Sequence, residues 1–109
     1  MPGCRYTQNF IRMEYQLVDN KEKKQFELNM DDPKVVMEYI ETADKIFLTH
    51  TEVPIGHEGK GYGSAIIKLA LEEVEARQKS LMPLCPFVVP YIKRHPEWNR
   101  LLLGNIKIE

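Results

Sequence analysis

Residues 56–64, Gly-His-Glu-Gly-Lys-Gly-Tyr-Gly-Ser, separate two kinds of periodicity. Before them, apolar residues alternate with polar ones. From Gly61 onward the spacing is helical, with Ile66, Ile67, Ala70, Leu71 and Val74 on one face and Lys68, Glu72, Glu75 and Lys79 on the other. The segment therefore joins a strand to an amphipathic helix. Glycines at alternate positions 59, 61 and 63 leave backbone N–H groups bare and let a ligand approach the main chain. At a helix N-terminus such groups, together with the helix dipole, favour a phosphate. The alternative is a turn that serves strand-to-helix geometry alone. The Walker pattern fails because Gly61 follows Lys60 where Ser or Thr is needed. The dinucleotide pattern fails because the glycines are spaced by two throughout.

Upstream, Tyr15 and Leu17, then Phe26, Leu28 and Met30, alternate with polar residues around Asp19-Asn20-Lys21, which predicts a hairpin over residues 13–30. Asp31-Asp32-Pro33 is a second turn. Val35, Met37 and Tyr39, then Ile46 and Leu48, extend the pattern into an antiparallel meander of three or four strands. Downstream, a short strand is expected at about Ser80 to Leu84, then a helix with Pro86 in its first turn that stops by Arg94 or His95, ahead of Pro96. The tail from Asn99 reads equally as a short helix or a last strand. The order is α+β.

A chain of 109 residues holds one domain, with its core expected over about residues 13–98. The hydrophobic fraction of 43% and charged fraction of 28% belong to a globular chain rather than a disordered one. Fifteen basic against sixteen acidic residues give a net charge of -1, which disfavours general nucleic-acid binding. The longest charge-free run, Ser80 to Ile92, is broken by three prolines and falls short of the ~18 apolar residues of a membrane span. No secretory signal is visible at the N-terminus. Cys4 and Cys85 alone make neither a disulfide framework nor a zinc site. The expectation is a cytoplasmic, metal-free protein without membrane or nucleic-acid partners, monomeric or a weak homodimer.

Glu58-Gly59-Lys60-Gly61-Tyr62-Gly63 resembles the pyrophosphate loop of the GNAT acetyltransferases, which runs Arg/Gln-x-x-Gly-x-Gly/Ala. Thr51-Glu52-Val53-Pro54 before it, Cys85-Pro86-Phe87-Val88 after it and His95-Pro96-Glu97-Trp98 beyond are similar, in this order, to motifs of the compact single-domain GNAT-like family. The likeness covers about Phe26 to Trp98. One departure is Glu58, where the family usually carries Arg or Gln, since a carboxylate beside a pyrophosphate is unfavourable unless it points to solvent.

The resemblance implies a small GNAT-like α+β fold and an acetyl-CoA-dependent N-acetyltransferase acting by direct attack in a ternary complex. The alternative is a CoA-binding sensor or accessory protein without efficient catalysis. It implies that the strand before the loop splays from the strand after the helix. Coenzyme A would then be held by backbone of Thr51 and Val53 and by Glu58, Gly59, Lys60, Gly61, Tyr62, Gly63 and Ser64. Amine attack on a thioester needs a base and an acid. Tyr91 is the expected acid, with packing against the sheet as the competing reading. Glu52 and His50 are candidate bases sharing one strand face, with Thr49, Thr51 and Val53 on the other. Cys85 reads either as a nucleophile near a helix start or as a small buried positioning residue, the second being favoured. His95 and Trp98 read as structural. The connection Asp31-Asp32-Pro33-Lys34 is too short for a helix, so the acceptor site is expected to be open. That suits a protein lysine, a polyamine or another amine.

Overall fold

The structure, a computed structural model, describes residues 15–30, 33–56 and 61–102. Met13, Cys4, Asp31, Asp32, His57, Glu58, Gly59, Lys60 and the tail beyond Leu102 lie outside the described residues. Five strands form one sheet in sequential order: β1 (Leu17–Asn20), β2 (Gln25–Leu28), β3 (Val36–Glu41), β4 (Lys45–Glu52) and β5 (Ser80–Pro83). β1 to β4 are an antiparallel meander, whereas β5 runs parallel to β4. That parallel step needs a crossover, which is α1 (Tyr62–Ala76). α2 (Val88–Arg94) and a 3-10 segment (Pro96–Leu101) complete the chain, and Leu102 makes a single parallel bridge to Leu81. The described part of the tail is thus helical to Leu101 and extended at Leu102.

The alternation read in the sequence fixes the core. Phe26, Leu28, Met37, Tyr39, Ile46 and Leu48 face α1, whose buried residues are Ile66, Ile67, Ala70, Leu71 and Val74. Each fully buried large side chain contributes about 1.5–3 kcal/mol relative to exposure. Pro90 sits in the first turn of α2, where its missing N–H removes no intrahelical bond.

The first turn falls later than expected, at residues 21–24, and Asp19 and Asn20 are strand residues. The reason is a charge cluster. Arg77, just past α1, pairs with Asp19 at 2.8 Å, Glu41 at 3.0 Å and Glu73 at 2.7 Å and lies over the Phe26 ring. The Tyr39 hydroxyl donates to Asp19 Oδ1, and Lys79 adds a 2.6 Å pair with Glu41. An aspartate satisfied by a guanidinium and a phenol no longer competes for turn backbone, so it stays in the strand. Burial first, then the Asp19 bond and charge, push the Tyr39 hydroxyl up to about 12.

β4 carries an irregularity. Glu38 pairs with His50 but Tyr39 pairs with Leu48, so Thr49 is an extra residue. Its hydroxyl donates to the Glu38 carbonyl at 3.2 Å. Ile46 and Leu48 are buried before the bulge and Thr51 after it, while His50 and Glu52 face outward.

Candidate active site

β4 and β5 pair only from Lys45↔Ser80 to Leu48↔Pro83. The ladder closes on one acceptor, because the N–H groups of Leu84 and Cys85 both donate to the Leu48 carbonyl, at 3.0 and 2.8 Å. Beyond it β4 runs on to Glu52, held on its other side by β3, and no residue of β5 pairs with Thr49–Glu52. The edge left open is a row of peptide groups for a ligand amide to meet.

The open edge leads into a cavity of about 600 Å³ between the end of β4, the start of α1 and one face of α2. Thr51, Glu52 and Val53 form one wall, Gly61, Tyr62, Gly63, Ser64 and Ile67 a second, and Phe87 and Arg94 a third. Gly61 caps α1 in the left-handed region at φ 85, a conformation that favours glycine, and no side chain caps the helix. The first bond of α1 is from Ala65 N–H to the Gly61 carbonyl, so the N–H groups of Gly63 and Ser64 precede it. No acidic residue stands in the first turn. An anion therefore fits at this end of the helix.

At the head of the wedge, Thr51 Oγ1 lies 3.0 Å from Met37 Sδ and 3.1 Å from Cys85 Sγ. A thioether only accepts, so the Thr51 hydroxyl proton goes to Met37, and the Cys85 thiol donates to Thr51. Both residues are buried, Cys85 at 0% exposure and Thr51 at 3%. The thiol is thus committed to an internal bond, and Cys85 does not line the cavity.

Glu52 is exposed and belongs to two concavities. One is the cavity above; the other is a groove of about 400 Å³ on the open face of the sheet, which Glu27, Glu38, Lys23 and Lys34 also line. Glu27 accepts from Asn20 and Gln25, and the Gln25 bond leads the causes that hold its carboxyl below the ordinary value of 4.5. His50 shares the Glu52 face and stands opposite Glu38, outside both linings. Tyr91 falls on the helical stripe of Phe87 and Arg94 yet is 5% exposed, tilted against His95 at 4.3 Å between ring centres, and absent from the cavity wall. Burial first, then the charges of Glu97 and Glu72, raise its hydroxyl above the ordinary tyrosine value. The structure therefore brings Thr51, Glu52, Val53, Gly61, Tyr62, Gly63 and Ser64 to one cavity and keeps Tyr91, His50 and Cys85 out of its lining.

Sequence reasoning missed Ile67, Phe87 and Arg94. Phe87 and Arg94 are seven residues apart and so lie on one helix face, a signal present in the sequence once α2 is placed.

An antiparallel meander, a crossover helix starting at Gly61, and a strand splayed at its head are the arrangement of the GNAT fold. The family model for the GCN5-related N-acetyl-transferase domain matches residues 25–101, and the chain belongs to that family of N-acetyltransferases. The NMR solution structure of a GCN5-like protein from Staphylococcus aureus superposes with a TM-score of 0.62, covering 85% of this chain and 92% of that one. At 18% identity that likeness speaks for the fold alone. No curated protein matches the chain in sequence.

Among the described residues, no group of three His, Cys, Asp or Glu side chains could hold a metal ion, and no helix is long and apolar enough to cross a membrane.

Proposed function

We propose that the protein is an acetyl-CoA-dependent N-acetyltransferase that transfers the acetyl group to a primary amine by direct attack in a ternary complex. The observation that carries this reading is the wedge: a β4 edge without a β5 partner past Leu48, opening onto the N-terminus of α1. When bound, acetyl-CoA supplies a thioester acyl group. In this reading the peptide groups of Thr51 and Val53 bind the pantetheine amides, and the backbone from Gly61 to Ser64 binds phosphate, as do Glu58, Gly59 and Lys60 of the same loop.

Glu52 is the base. What supports this role is that its side chain stands where the cofactor cavity and the open-face groove meet, so an amine entering by the groove meets the carboxylate on the way to the cavity. The carboxylate takes the amine proton, directly or through a water. Cys85 acts as a positioning residue, holding Thr51 at the wedge head. His50 lines neither concavity and takes no proton here, and the departing thiolate is protonated from solvent. The open groove suits a protein lysine, a polyamine or another amine.

The test is calorimetry with CoA, followed by free-thiol release from acetyl-CoA across an amine panel. Glu52→Gln is expected to bind CoA like wild type and to lose about 100-fold in turnover. Absence of CoA binding by the wild-type protein overturns the reading. CoA binding without thiol release for any amine favours a CoA-binding sensor.

A further inference from the structure

We infer that Arg94 is the cation that pairs with the phosphates of coenzyme A, supplied from α2 in place of the basic residue that the loop lacks at position 58. The inference rests on the cofactor reading above and assigns it a specificity-determining residue.

Three observations lead to it. First, three arginines fall among the described residues, and two are spent on ion pairs. Arg77 holds Asp19, Glu41 and Glu73, and Arg100 holds Glu75. Arg94 makes no ion pair or hydrogen bond among the described residues, and it is exposed. Second, Arg94 is the one cationic side chain among the described residues lining the 600 Å³ cavity, and Glu52 is the one anionic. Third, the two sit on different walls: Glu52 ends β4 at the wedge, whereas Arg94 is in the last turn of α2, seven residues and about 10 Å of helix rise beyond Phe87.

The chemistry follows from charge. A helix N-terminus offers roughly half a unit of positive charge, too little for the phosphates of a nucleotide cofactor. Glu58 replaces the usual positive charge with a negative one, which offsets the charge of Lys60 in the same loop. A guanidinium on the facing wall supplies a full charge and a fork of donors matched to phosphate oxygens. Phe87, on the same face of α2 and 59% exposed, gives the cavity an apolar stretch between Arg94 and the wedge. The cavity thus carries its cation and its carboxylate on different walls, which suits a ligand with phosphates at one end and a thioester at the other.

The experiment is isothermal calorimetry of CoA, 3′-dephospho-CoA and pantetheine with wild type, Arg94→Gln, Arg94→Lys and Arg100→Gln, at low and moderate salt. Circular dichroism confirms folding, which is expected because Arg94 is exposed and makes no ion pair or hydrogen bond among the described residues. Arg94→Gln is expected to weaken CoA at least tenfold at low salt and to flatten the salt dependence, Arg94→Lys to recover part of the loss, and Arg100→Gln to bind as wild type. Pantetheine affinity should not change. A loss equal for CoA and 3′-dephospho-CoA assigns Arg94 to the pyrophosphate; a loss confined to CoA assigns it to the 3′-phosphate. Wild-type binding with Arg94→Gln within threefold overturns the role of Arg94 and leaves the cofactor reading standing. Wild-type protein that binds none of the three overturns both.

Discussion

Thr51 Oγ1 and Cys85 Sγ lie 3.1 Å apart, joining the end of β4 to the turn after β5 where the two strands no longer share a ladder. The bond takes the place of backbone pairing at the wedge head. It fixes how far the strands part while leaving their peptide groups free of each other. Because Thr51 also donates to Met37, the thiol proton has a definite acceptor, and the sulfur is fully buried.

Cys85→Ala is accordingly expected to fold, to bind CoA within a fewfold of wild type, and to lose stability by about 1–2 kcal/mol from the missing donor and the lost packing. Transfer should persist at a reduced rate. Intact-mass measurement after incubation with acetyl-CoA should show no acetyl group on Cys85 in the wild-type protein. An acetyl mass mapped to that residue would instead make it a nucleophile.

Tyr91 is packed against His95 and kept from the cavity wall. Tyr91→Phe keeps that packing, so turnover is expected to stay within about twofold of wild type at saturating amine. A fall of 100-fold would return the hydroxyl to the chemistry.

Gly61 and Gly63 separate conformation from space. At Gly61 an added Cβ meets nothing within 4 Å, but φ +85 strains any L side chain. At Gly63 the Cβ would make an ordinary 3.8 Å contact with Val53 Cγ2. Gly61→Ala is therefore expected to lose about 1–2 kcal/mol in urea denaturation, and Gly63→Ala to be neutral or to gain up to about 1 kcal/mol. Equal stabilities would contradict the left-handed cap.

Glu41 sets an acid limit. The hydrogen bond from Lys79 is the leading cause holding its carboxyl below the ordinary 4.5, with the Arg77 charge adding and burial opposing. The folded chain binds this proton less tightly than the unfolded one. The stability it contributes is present above pH 4.5 and lost as pH falls through the lowered value. Glu41→Gln should flatten the stability profile below pH 4.5 and leave the alkaline limb unchanged, as read from denaturation at each pH.

Most of the scaffold was legible because alternation and helical period report directly on which face is buried: Phe26 and Leu28, Met37 and Tyr39, and the α1 stripe from Ile66 to Val74 all read correctly. What resisted reading depended on distant partners. Asp19 looks like a turn former until Arg77, 58 positions away in sequence, neutralises it. Tyr91 and Phe87 belong to one stripe, and only packing against His95 decides which of them the cavity sees. Arg94 shares a helix face with Phe87, but its charge has no local signature. Its meaning lies in making no ion pair among the described residues while Arg77 and Arg100 do.

The bulge at Thr49 also bears on how the chain tolerates changes in length. In a regular strand, removing a single residue reverses which side chains point inward downstream of it. Removing Thr49 would not, because Leu48, His50 and Thr51 would then alternate as in-out-in. Such a deletion straightens β4 just where its ladder with β5 stops, so β5 could continue to pair. The expected product is a better-closed sheet of normal or greater thermal stability, with CoA affinity lost, measurable by melting and calorimetry on one sample. One surplus residue thus stands one position past the last β4–β5 pair, and its removal tests whether that irregularity holds the two strands apart.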